Sequence, residues 1–164
     1  MPGAGRVARV PGPMGDPLRW GTDTFGSRQR TTAVGGGLGV GRQWADGPGK
    51  LIVRTGGGGA DAVTVPLEIA GSYRARTKGL LGRDSVDGAM LLSPANSVHT
   101  FRMRMPIDVA YLDRGLTVIA VVTMKPWRLG LPRLRSRHVL ESEAGAMAGW
   151  GVRVGARVEV RVDG

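Results

Sequence analysis

Apolar and polar residues alternate in short runs through the second half of the chain, and the alternation predicts a succession of β-strands. Leu116 to Met124, rich in β-branched residues, is the clearest of them. Val63 to Ile69 alternates too, with Pro66 favouring an edge position because proline cannot donate to a ladder. Ala89 to Leu92 is continuously apolar, as in a buried strand. Leu51 to Val53 reads as a short edge strand, and His138 to Glu141 and Arg157 to Val162 as two more. At the centre two runs meet at Pro106. In the first, His99, Phe101, Met103 and Met105 share an apolar face, with Thr100, Arg102 and Arg104 opposite. In the second, Ile107, Val109 and Tyr111 share one face, and Asp108, Ala110 and Leu112 the other.

Two short helices complete the pattern. Ser72 is a natural N-cap for a helix from Tyr73 to about Leu81 that turns Tyr73, Thr77, Leu80 and Leu81 to the sheet. Gly79 costs about 1 kcal/mol in a helix interior relative to alanine, which predicts a strand passing close to it. Ala144 to Trp150 forms the second helix, stopped at Gly151, and Pro126 to Arg137 is a long loop. With about seven strands and two short helices, the expected class is mainly β (β-rich α+β), a small antiparallel barrel or sandwich.

Composition sets the domain limits. Of the 28 glycines, 17 fall in residues 1–60, and residues 1–49 keep no helical or strand period. We therefore expect a disordered Gly/Arg/Pro-rich tail over 1–49, a single domain over 50–164, and a linker at Gly56–Gly59. No run of about 18 apolar residues occurs, so no transmembrane segment is expected, and the run Ala33–Val40 is too glycine-rich for a secretion signal. A cytoplasmic location is the expectation. The absence of cysteine excludes disulfides, a thiol nucleophile and cysteine-based zinc sites.

Four stretches in order resemble the DUF192 family, a prokaryotic group of small domains without an established biochemical function. They are Gly79-Leu80-Leu81-Gly82-Arg83, Gly88-Ala89-Met90-Leu91-Leu92, the central Ser97–Asp113 run, and Val139-Leu140-Glu141-Ser142-Glu143-Ala144-Gly145. The resemblance spans roughly residues 63–160 and implies a compact β-rich domain. The central run departs from the family's common aromatic-Trp-Met-Lys-Asn-Thr form, so no ligand role tied to that Trp or Asn carries over.

The net charge of +10 raises nucleic acid as a partner. However, 20 of the 23 basic residues are arginine in a chain heavy in Gly, Ala and Val, which a GC-rich coding sequence also produces. Arg102 and Arg104 on one strand face, with Trp127 and Arg128 at the start of the basic loop, suggest a surface for an anionic ligand or protein. Nucleic acid is the less favoured partner, since only Trp127 is well placed to stack on bases. His99 with Asp108 is the candidate for acid–base chemistry, a hydrolase being the remote alternative. The bland reading is a core histidine and a structural carboxylate, with Arg83 the expected partner of Asp108. No spacing of His99, His138, Asp108, Glu141 and Glu143 matches a metal motif, and no cofactor is expected.

Overall fold

A computed structural model of the chain describes residues 43–54 and 62–163. The expected tail up to residue 42 and the Gly56–Gly59 linker lie outside the described residues. Among the described residues seven strands and two short helices follow in chain order. They are β1 (Gly47–Arg54), β2 (Ala62–Ala70), α1 (Tyr73–Lys78), β3 (Ala89–Leu92), β4 (Ile107–Leu112), β5 (Val118–Met124), β6 (His138–Glu143), α2 (Ala146–Gly149) and β7 (Val158–Val162).

The strands form one sheet in the order β5-β4-β6-β3-β2-β1-β7. All neighbours are antiparallel except β2 and β3, between which α1 and its flanking turns carry the chain across, as a parallel pair requires. The fold is mainly β, as expected, but the sheet does not close into a barrel. Among the described residues its two edges meet at an isolated bridge just outside β5 and β7, Thr117 with Arg157, supported by hydrogen bonds from Val118 N–H to Ala156 C=O and from Val158 N–H to Leu116 C=O.

Period-two alternation divides the apolar residues between the two faces. One face carries Leu51, Val53, Leu67, Leu91, Leu112 and Leu140, packed with Met147 of α2 and Trp44. The other carries Met90, Leu92, Val109, Tyr111 and Val139, covered by Leu80, Val98 and Met103 from the connecting segments. Because β4 lies between β5 and β6 and is covered on both faces, all six of its residues are buried. None of the helices among the described residues is long and apolar enough to cross a membrane.

Several expectations need correction. Leu51–Val53 belongs to an interior strand, since β1 runs between β2 and β7. Structure also begins before residue 50: Trp44 is buried in the core, and Asp46 accepts the backbone N–H groups of Gly71 and Ser72 at 2.7 Å. Pro66 sits in an interior strand, yet it faces Lys50 of β1 just before the ladder to β3 starts at Leu67, so its missing N–H interrupts nothing there.

Ser72 does cap α1, its hydroxyl accepting the Ala75 N–H at 3.1 Å, but the helix ends at Lys78. Tyr73 is 78% exposed and Thr77 is also exposed, while Leu80, beyond the helix, is buried. Gly79 is the C-cap at φ +44°, a conformation that favours glycine, and a Cβ there would lie 3.8 Å from a carboxylate oxygen of Glu141 on β6. A strand residue therefore does approach Gly79, though the backbone angle supplies a separate reason for the glycine.

Candidate functional site

The first central run is not a strand. Residues 95–101 instead pair irregularly with the basic loop through Ala95 N–H to Arg137 C=O, Gly130 N–H to Val98 C=O, and Thr100 N–H to Arg128 C=O. Thr100 is the node of this pairing. Its hydroxyl donates to the Lys125 carbonyl at 2.7 Å and accepts the Arg128 N–H at 2.9 Å, and its carbonyl accepts the Trp127 N–H at 2.9 Å. Those bonds can form only with Thr100 turned inward, so satisfaction of polar groups overrides the apolar alternation. Thr100 is buried and its neighbours His99 and Phe101 face out, contrary to the expected register; Met103 remains buried as expected.

The outcome is a platform of exposed rings. His99 stacks on Phe101 with centroids 5.4 Å apart and planes 19° from parallel, and Phe101 meets Trp127 at 6.4 Å. Phe101 is 42% and Trp127 61% exposed. Arg102 follows Phe101 in the turn, at φ +64°, and the Arg128 guanidinium donates to the Trp127 carbonyl. Beneath the loop lies a groove of about 420 Å³ lined by Tyr111, Lys125, Arg128 and Arg133, the last placed 5.4 Å over the Tyr111 ring. Burial raises the Tyr111 hydroxyl pKa, against a smaller opposing effect of Arg133. Among the described residues no carboxylate pairs with Arg102, Arg128, Arg133, Arg135 or Arg137.

The other expected site residues lie apart from this row. Arg104 forms an exposed ion pair with Asp84 at 3.0 Å, so it does not share a strand face with Arg102. Arg83 pairs with Glu68 at 2.8 Å and not with Asp108. Asp108 is buried on the opposite face of the sheet, where one oxygen accepts the Thr123 hydroxyl at 2.6 Å and the other the Gly145 N–H at 2.8 Å. His99, exposed and stacked on Phe101, does not share in these bonds. Among the described residues no three His, Asp or Glu side chains gather as a metal site.

In the sequence Glu141 stands in the Val139–Gly145 stretch of the family resemblance and among the acids without a metal-ligand spacing, and neither marks it as a site residue. It is 4% exposed on β6 and lines a small cleft, and burial raises its pKa to about 7. The usable signal was the one applied to Asp108, an acid alternating with an apolar residue, here Val139, on one strand face. Nearby His138 is buried against Ser93, Nδ1 to Oγ 2.7 Å, and burial lowers its pKa.

The family model for DUF192, described as an uncharacterized ACR group, matches residues 53–160. A UPF0127 protein of Pyrococcus horikoshii is 33% identical over 84 residues, covering 48% of this chain and 73% of the relative. One from Pyrococcus abyssi is 32% identical over 98 residues, 57% of this chain and 84% of the relative. Among solved structures, a proposed transcription regulator from Sinorhizobium meliloti aligns with a TM-score of 0.61 at 20% identity, over 73% of this chain and 98% of that one. A protein of unknown function from Novosphingobium aromaticivorans aligns at 0.59 and 21% identity, over 76% and 99%. At such identities the two structures speak for the fold alone.

Proposed function

The chain belongs to the DUF192 family, and from that premise we propose that it is a non-catalytic binding module whose loop platform takes an extended anionic partner. The observation that carries this reading is the row of His99, Phe101 and Trp127, exposed beside arginines that have no carboxylate partner among the described residues. Arginine forks hold phosphate or carboxylate oxygens through paired N–H groups, and ring faces take flat groups carried between those charges.

The exposure of Phe101 favours single-stranded nucleic acid as that partner. Strand alternation offers only Trp127 for stacking, whereas the platform presents three rings, and stacking on an aromatic side chain is worth about 1–3 kcal/mol per base.

Fluorescence anisotropy with a labelled oligothymidylate, a duplex of equal length and a polyglutamate peptide tests both levels of the reading. Binding of at least one polymer, weakening steeply as salt rises, is expected, and Arg102→Ala should reduce the salt slope by about one for a nucleic acid. Preference for the oligothymidylate, with a roughly tenfold loss in Trp127→Ala, supports the single-stranded partner. Failure of all three polymers to bind at about 50 mM salt would overturn the proposal.

A further inference from the structure

Glu141 has no part in the platform. Its Cα pairs with Met90 of β3 and Val109 of β4, and its side chain lies on the face that carries Val139, Tyr111 and Leu92. A carboxyl group buried among apolar residues normally has a hydrogen-bond or ionic partner. Among the described residues none reaches this one, and burial alone accounts for its raised pKa. It borders a cleft of about 70 Å³ that Lys78, Gly79, Ser97 and His99 also line. Gly79 has no side chain to fill the space beside the carboxyl.

The charges around the cleft narrow the ligand. Arg76 and Lys78 line it from α1 and His99 from the paired loops; Tyr111 lies on the same sheet face, and no second carboxylate lines the cleft. The Arg76 guanidinium is turned onto the carbonyls of Gly71 and Ser93, which hold it in place without neutralising it. A cationic ligand would meet this positive rim, whereas an oxyanion is attracted to it. The volume suits a group of a few heavy atoms.

We propose that the cleft binds the oxyanion end of a small ligand, a carboxylate or a tetrahedral oxyanion, with Glu141 donating a hydrogen bond from its floor and Ser97, Lys78 and His99 closing on it from the rim. Glu141 can donate only while protonated, and burial preserves the proton up to about pH 7. The bound anion favours the protonated acid, so binding takes up a proton and weakens as pH rises through the titration of Glu141.

Acetate and sulfate are suitable probes because both stay ionised from about pH 6 upward. In the full chain labelled with ¹³C at glutamate carboxyls, saturation with the preferred anion should raise the Glu141 titration midpoint by about one pH unit, and affinity at pH 8 should be about fivefold below that at pH 6. Glu141→Gln retains a neutral donor and should bind without the fall in affinity as pH rises through about 7. His99→Gln should keep the Glu141-linked dependence, which assigns that dependence to Glu141. Phe101→Ala and Trp127→Ala should bind both anions normally, so failure of the platform reading and failure of this one are distinguishable. A Glu141 midpoint unchanged in about 50 mM acetate and in about 50 mM sulfate alike would refute the site, as would loss of anion binding in folded Glu141→Gln. If that variant does not fold, the wild-type midpoint decides.

Discussion

The carboxylate of Asp108 on β4 accepts the backbone N–H of Gly145 at 2.8 Å, tying the middle of the sheet to the start of α2. A longer contact, 3.4 Å, reaches Met147 N–H in the same turn, and the other oxygen holds the Thr123 hydroxyl. Asp108 thus supplies from across the sheet an acceptor that Gly145, the α2 cap residue with no side-chain hydrogen bond, does not provide.

Removing it strands these donors. Each buried donor left unsatisfied costs about 1–3 kcal/mol, so Asp108→Ala should destabilise by roughly 2–4 kcal/mol in denaturant unfolding. Arg83→Ala should cost less than about 1 kcal/mol, since its pair with Glu68 is partly exposed. A double-mutant cycle between Asp108 and Arg83 should give a coupling near zero; substantial coupling would place Asp108 in an ion pair after all.

Phe101 and Met103 separate binding from stability. Met103 is buried with Leu80 and Val98, so Met103→Ala should cost about 2–5 kcal/mol. Phe101→Ala should cost less than about 1 kcal/mol while weakening partner binding about tenfold. Comparable losses of stability in the two variants would mean that Phe101 faces the core.

Thr100→Val keeps the shape of the node and deletes its hydroxyl. The Lys125 carbonyl and Arg128 N–H lose their partner, so amide hydrogen exchange should rise across residues 126–137 and stability should fall by about 1–3 kcal/mol. Unchanged exchange in that loop would show that the backbone bonds hold it without the side chain.

Glu141 makes stability depend on pH. Its folded pKa lies above the unfolded value, so the folded state binds the proton more tightly than the unfolded chain. The associated stability is fully present below about pH 4.5 and is lost as pH rises from there through about 7, roughly 3 kcal/mol in all. Glu141→Gln should remove this fall, seen as a smaller loss of denaturation midpoint between pH 5 and 8 than in the wild type. Identical profiles would show that Glu141 titrates as an ordinary exposed acid.

Trp44 and Asp46 place the working start of the domain before residue 50. A chain starting at Gln43 should unfold with the full chain's midpoint, and one starting at Leu51 should be markedly less stable because it lacks the buried indole and the Asp46 bonds to Gly71 and Ser72. Equal stability of the two would return Trp44 to the tail.

The sequence by itself determined the family, the β-rich class and most of the strands. Such features are local: a run such as Val118–Met124 or Ala89–Leu92 carries its own periodicity and β-branched content, and Ser72 caps the helix that follows it directly. Only the tertiary structure decided the site. Alternation from His99 to Met105 could not reveal that Thr100 would turn inward, because its partners Lys125 and Arg128 lie 25 and 28 residues away. Arg83 and Asp108 looked like partners because each needed one, but Glu68 and Thr123, residues of other strands, met those needs first. Glu141 was legible as an acid among apolar residues, yet its isolation depends on which chains cover it. Local periodicity sets which way a strand residue points, whereas the partner of a buried polar group is set by segments that only the fold brings together.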